Sequence, residues 1–249
     1  MEPVHLATPL PEILFLTSYP PRECGIATYS QDLLKSLNNK FKNSFSLKVC
    51  ALESGNAQLH YPKEVKYVLD TTDAAQYVAL AATINSGKRI KFVLIQHEFG
   101  FFENGGEAAF LQFLYVVTKP IVLVFHTVLP NPDEMLRAKV RRIAAVCAAV
   151  VVMTKNAAQI LNTDYSVYTE KTSVIPHGTH LVPHLNKNTL KEKYGLKAFP
   201  SFQIKAGCTK DTAPYPFHQA ANNRLMWPIP FLCWTVFTRC LKTQVTWKN

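Results

Sequence analysis

A chain of 249 residues with 48% hydrophobic content and a formal charge of +10 can bury a sizeable core, as one large domain or two small ones. The longest apolar candidate, Ile143 to Met153, is alanine-rich and falls short of the roughly 18–20 apolar residues that a bilayer span needs. Half of the charge comes from Pro200 onward, with six Lys/Arg against one Asp. No Lys/Arg-rich run or basic–aromatic interleaving speaks for nucleic acid, so the expected partners are an anionic substrate or, peripherally, a membrane surface.

The first residues, MEPVHLATPLPEILFL, carry Glu2 and Glu12 and no basic stretch. No signal peptide is expected, and a cytoplasmic location follows by default. The six cysteines are scattered, with no CxxC pair. Reduced thiols and no metal site are expected, with Cys50 and Cys147 as small core residues.

Glu12 to Ser18 reads as the first buried strand. Tyr19-Pro20-Pro21 stops it, since proline continues neither a ladder nor a helix. Arg22 to Ile26 then leads into a helix from about Ala27, with Thr28 as its cap and Ile26, Tyr29, Leu33, Leu34 and Leu37 as its apolar positions. Strand, glycine turn and helix together aim backbone N–H groups at an anion, and Gly25 permits close approach. The turn is neither GxGxxG nor a P-loop, and a plain βα turn is the alternative.

Phe45 to Leu52 and Val65 to Asp70 read as strands, and Thr71 to Ser86 as a helix capped by Thr71 or Thr72. Lys91 to Gln96 is a strand ending in His97-Glu98-Phe99-Gly100, and Gly105-Gly106 opens the next helix. Ile121 to Thr127, IVLVFHT, is the central strand. Val128 to Pro132 is a rigid loop, followed by a helix from about Asp133 to Cys147. Ala149 to Met153 is a strand, Thr154 caps a helix over Asn156 to Leu161, and Lys171 to Pro176 is a strand ending in His177-Gly178. This alternation predicts an α/β fold, a doubly wound and mostly parallel Rossmann-like sheet.

Three apolar runs end in histidine: FVLIQHE, IVLVFHT and TSVIPH. In an open α/β sheet ligands bind outside the carboxyl ends of the strands. His97, His126 and His177 are therefore candidates for a cleft floor, against the plainer reading of histidines with no functional role.

Leu190 to Tyr194 reads as helical. Beyond Phe199 the pattern breaks: five of the sixteen prolines, all three tryptophans and three of the six cysteines lie there, without helical or strand periodicity. The expected organisation is one domain over 1–199 and an irregular C-terminal tail over 200–249, not a domain.

Taken in order, SYPPRECGIATYSQDLL, QHEFG, FHTVLPNP, VVMT and VIPHGTHL resemble the N-terminal half of a family 4 glycosyltransferase of GT-B fold. The resemblance runs from about Pro11 to Leu196. It implies a transferase of carbohydrate biosynthesis that retains anomeric configuration and moves a hexose from a nucleotide-sugar donor to a glycan or lipid-linked acceptor, without a cofactor or metal. It implies that His126 sits beside the reacting sugar as the catalytic-site residue. Gly25 and Ile26 would approach donor phosphate or acceptor, His97, Glu98 and Thr127 would line the acceptor side, and His177 and Gly178 would mark the exit strand.

The sequence departs from that pattern after KEKYGLK. Such proteins continue into a donor domain with a glycine-rich loop, a basic residue and a later pair of glutamates, whereas the last glutamate here is Glu192. The chain therefore reads as truncated or frame-shifted and as inactive alone. The alternatives are a non-catalytic acceptor-binding module, a half that pairs with a separately encoded donor half or self-associates, and a nonfunctional remnant. Donor-domain motifs in another reading frame downstream of Lys197 would establish the frameshift, and their absence would end it.

Overall fold

The computed structural model describes residues 9–55, 59–102, 106–178, 186–193 and 195. The residues up to His177 belong to one compact unit, and a second begins at Gly178. The tail expected over 200–249 lies outside the described residues.

The first unit is a seven-stranded, all-parallel sheet. Its strands are β1 (Glu12–Thr17), β2 (Ser46–Glu53), β3 (Val65–Asp70), β4 (Ile90–His97), β5 (Ile121–Phe125), β6 (Ala149–Val152) and β7 (Thr172–Val174), in the order β3-β2-β1-β4-β5-β6-β7. The chain winds outward from β1 to β3, then returns to place β4 on the other side of β1. The carboxyl ends of β1 and β4 therefore flank the point where the winding direction reverses, the place where such sheets open a crevice.

Helices cover both faces. On one face α2 (Ala74–Ser86), α3 (Gly106–Val116), α4 (Glu134–Val146) and α5 (Lys155–Thr163) pack on Leu14, Leu16, Val93, Ile95, Leu123, Phe125, Val150 and Val152. On the other, α1 (Gly25–Phe41) sets Leu34 and Leu37 against a cluster holding Phe15, Val49, Phe92, Val122, Val124 and Val151. Both faces being covered explains why β5 is apolar throughout and every one of its residues is buried. Fully burying each of those side chains contributes about 1.5–3 kcal/mol. The second unit is described only by Gly178, Asn186, α6 (Lys187–Lys193) and Gly195.

Capping chemistry shifts several helix starts from their expected positions. Helix α1 begins at Gly25, because the Cys24 thiol, not Thr28, accepts from the backbone N–H of Ala27 at 3.3 Å. Helix α2 begins after Asp73, whose carboxylate takes the Ala75 N–H at 2.9 Å, instead of at Thr71. Thr71 is instead tied to the Glu53 carbonyl through both its N–H and its hydroxyl. Asp133 and Thr154 cap α4 and α5. Each cap is worth about 1 kcal/mol.

At the amino end of the sheet, away from the crevice, the fully buried carboxylate of Glu12 meets Lys66 Nζ at 3.1 Å and Arg89 Nη2 at 3.6 Å. Removing a cation leaves a buried anion under-compensated, whereas removing the anion leaves two side chains free to reach water. Lys66→Met is therefore expected to cost roughly 2–3 kcal/mol and Glu12→Gln only about 1. Urea unfolding of the two variants checks the order, and a larger loss in Glu12→Gln would contradict it.

Candidate functional site

The residues that matter lie where β1, β4 and β5 end. β4 and β5 pair with His97 level with Phe125. Side chains alternate faces along a strand. Hence His97 and Phe125 go to the face of α2–α5, while Gln96, Val124 and His126 go to the face of α1.

That parity separates the two histidines. His97 is buried among Phe99, Phe102, Phe110 and Phe125, with ring centroids 5.0–5.7 Å away. Its Nδ1 has no hydrogen-bond partner among the described residues. Burial, with lesser pushes from Lys139 and His126, drives its pKa down to about 3. His97 is thus a neutral core ring, and the structure does not bring it to the crevice surface where the sequence reading put it.

His126 is half-buried. Its backbone N–H donates to the His97 carbonyl at 3.1 Å, so it extends the ladder one residue past β5. Its Nε2 lies 2.7 Å from Oε1 of Gln96. The Tyr29 ring meets it edge-on, with centroids 5.3 Å apart, and the same Tyr29 ring lies 5.0 Å from His177. Desolvation, then the nearby His177, pushes the His126 pKa down to about 4. The imidazole is therefore neutral at pH 7 and can orient hydroxyls without bringing a positive charge.

Beside it, Thr127 Oγ1 donates to Glu98 Oε2 at 2.7 Å, while Glu98 Oε1 accepts the Phe99 N–H at 3.0 Å. Both carboxylate oxygens are engaged, so Glu98 is a positioned acceptor. It fixes the Thr127 hydroxyl as a donor and leaves that oxygen's lone pairs for a ligand.

Gly25 is exposed and Ile26 half-buried at the first turn of α1, one turn before Tyr29. A Cβ added at Gly25 would meet nothing within 4 Å, so the protein's own packing does not demand glycine there. The Cys24 thiol is 3.1 Å from Ser18 Oγ besides capping the helix, which gives it a structural task. Gly178 begins the second unit. Of the sequence-predicted residues, the fold brings together Gly25, Ile26, His126, Thr127, Glu98 and His177 at one end of the sheet. Among the described residues no cluster of His, Cys, Asp and Glu could hold a metal ion.

Two residues of this group escape the sequence reading. Tyr29 reads as an apolar helix position, yet it is the ring that joins His126 to His177. Gln96 sits inside an apolar run as the one residue before His97. Strand parity alone gives the signal: of two adjacent polar residues, one must enter each face.

No protein-family model and no curated protein matches this sequence. Among solved structures, HepE of Anabaena, in complex with UDP and glucose, aligns with TM-score 0.48 and 12% identity over 75% of this chain and 50% of that one. A glycosyltransferase of Rickettsia africae aligns with TM-score 0.50 and 14% identity over 77% of this chain and 50% of that one. At such identity the likeness is one of fold, and the second alignment carries it. The chain has the Rossmann-like architecture of a GT-B N-terminal domain. It spans half the length of both solved proteins. Among the described residues no helix is long and apolar enough to cross a membrane.

Proposed function

We propose that this chain is the acceptor-binding half of a retaining, family 4-like glycosyltransferase. The observation that carries the reading is the convergence of a neutral His126, the Tyr29 ring, His177 and the Glu98–Thr127 pair beside the exposed first turn of α1. A nucleotide-sugar donor with a glycan or lipid-linked acceptor is the substrate class that the family resemblance of the sequence motifs implies. His126 and Thr127 would align acceptor hydroxyls, and the α1 N–H groups at Gly25 and Ile26 would face phosphate. Transfer also needs groups on the opposite wall of the cleft, which the GT-B fold supplies from a second domain. Alone, the chain is expected to bind acceptor without turnover.

Calorimetric titration with UDP, UDP-glucose and a panel of oligosaccharide acceptors tests this. Acceptor binding is expected to weaken at least tenfold in His126→Ala. Gly25→Val is expected to keep the melting temperature but to weaken any response to UDP, since its new side chain meets ligand and not protein. No heat from any of these ligands would leave a remnant with no binding role. Measurable sugar transfer by the chain alone would overturn the statement that it does not turn over.

A further inference from the structure

Gln96 has no assigned role, yet its place is costly. Its side chain is fully buried on the α1 face, in register with Val124 of the apolar cluster there. Its Oε1 lies 2.7 Å from His126 Nε2, while its own Nε2 is buried with no partner among the described residues. A leucine would fit such surroundings without leaving an amide half satisfied. A buried donor with no partner is a penalty that proteins avoid unless the group serves a purpose. Among the described residues the one polar contact of the Gln96 side chain is with the imidazole.

We propose that Gln96 is a positioning residue that holds His126 as the Nε2–H tautomer, so that the imidazole offers a bare Nδ1 lone pair to a sugar hydroxyl. A carbonyl oxygen only accepts, so the proton in this contact resides on the imidazole Nε2. A neutral imidazole carries one proton, and Nδ1 is then an acceptor. Such a ring takes a hydrogen bond from a hydroxyl that gains acidity as it attacks, or that must be held in one rotamer. It rejects a ligand presenting a lone pair at that point. Gln96 thereby selects a donor group on the sugar without touching it. What Nδ1 meets rests on the sugar-transfer reading; the tautomer itself does not.

The test uses the full chain labelled with nitrogen-15 histidine. The His126 signals are identified by their loss in His126→Ala. At pH 7 the wild type is expected to show a ring proton on Nε2, protected from solvent exchange, and an unprotonated Nδ1. Gln96→Leu is expected to lose that protected proton while its melting temperature holds or rises. Gln96→Glu, whose carboxylate also accepts, is expected to restore it and to raise the titration midpoint of His126, whose other ionisable neighbours are His177, His97 and Tyr29. A proton on Nδ1 in the wild type, or a protected Nε2 proton surviving in Gln96→Leu, overturns the proposal. So does a Gln96→Leu that is strongly destabilised with Gln96→Glu failing to restore the signal, because Gln96 is then structural. Absence of sugar binding with the tautomer as expected would end the functional reading and leave the Gln96 assignment standing.

Discussion

Acidifying the protein from pH 6.5 to about 4 is expected to remove roughly 3 kcal/mol of folding stability through His97 alone. Burial lowers its pKa to about 3, so it stays neutral in the fold throughout that range. The unfolded chain returns it to its ordinary value and takes up a proton. A group with a depressed folded-state pKa and a cationic acid form stabilises fully above the unfolded value, near 6.5. That contribution falls by about 1.4 kcal/mol per pH unit as pH drops towards 3. His126, lowered to about 4, adds a smaller slope of the same sign, because its ring is partly open to water. His97→Phe keeps a ring in the aromatic cluster and removes the proton site. Its unfolding free energy is expected to depend less on pH between 4 and 6.5 than that of the wild type. It should equal or exceed the wild type at pH 7, where the unpartnered Nδ1 is lost. Urea titrations at pH 4, 5.5 and 7 measure both, and parallel pH profiles for the two proteins would refute the assignment.

Gly106→Ala is expected to cost about 3 kcal/mol, the upper end for forcing a methyl into a packed site. Its Cβ would run into the carbonyl oxygen of Thr71, with the Thr71 carbonyl carbon 3.3 Å away and the Tyr77 hydroxyl 3.6 Å away. Thr71 has no room to retreat. Its N–H and hydroxyl both bond the Glu53 carbonyl, at 2.8 and 2.9 Å, and its carbonyl accepts from Tyr77 Oη at 3.3 Å. The clash is therefore with a backbone pinned between β2 and α2, not with a flexible side chain. Gly25→Ala is the matched control. It also adds a methyl at the start of a helix, but into open space, and a change within about 0.5 kcal/mol is expected. Thermal unfolding of the pair decides the matter: equal melting temperatures would show that α3 can shift away from Thr71.

The buried His97 and Gly106 at the start of α3 are linked through the aromatic cluster. β4 carries Gln96 to one face and His97 to the other. The aromatic cluster that excludes water from His97 includes Phe110 of α3, the helix that Gly106 lets approach α2. Loosening Gly106 is therefore also expected to admit water to His97 and flatten the pH profile described above.

The order and kind of the elements were legible in the residues. Runs such as EILFLT and IVLVF are too apolar and too short to be anything but strands covered on both faces, and the helices between them have the right spacing to return parallel. Period-two alternation even predicts that neighbours in QHE point to opposite faces. What residue order could not supply was which face each would find, because that depends on where helices with no sequence proximity pack. His97 looked equivalent to His126 until four phenylalanines, from β5, α3 and the loop after β4, closed over it. Tyr29 and His177 lie far apart along the chain, and only the strand order, with β7 at one edge and α1 crossing the other face, brings their rings together. Chain chemistry set which side chains could be useful; tertiary packing, by deciding which of them lose water, set which keep a proton and which do not.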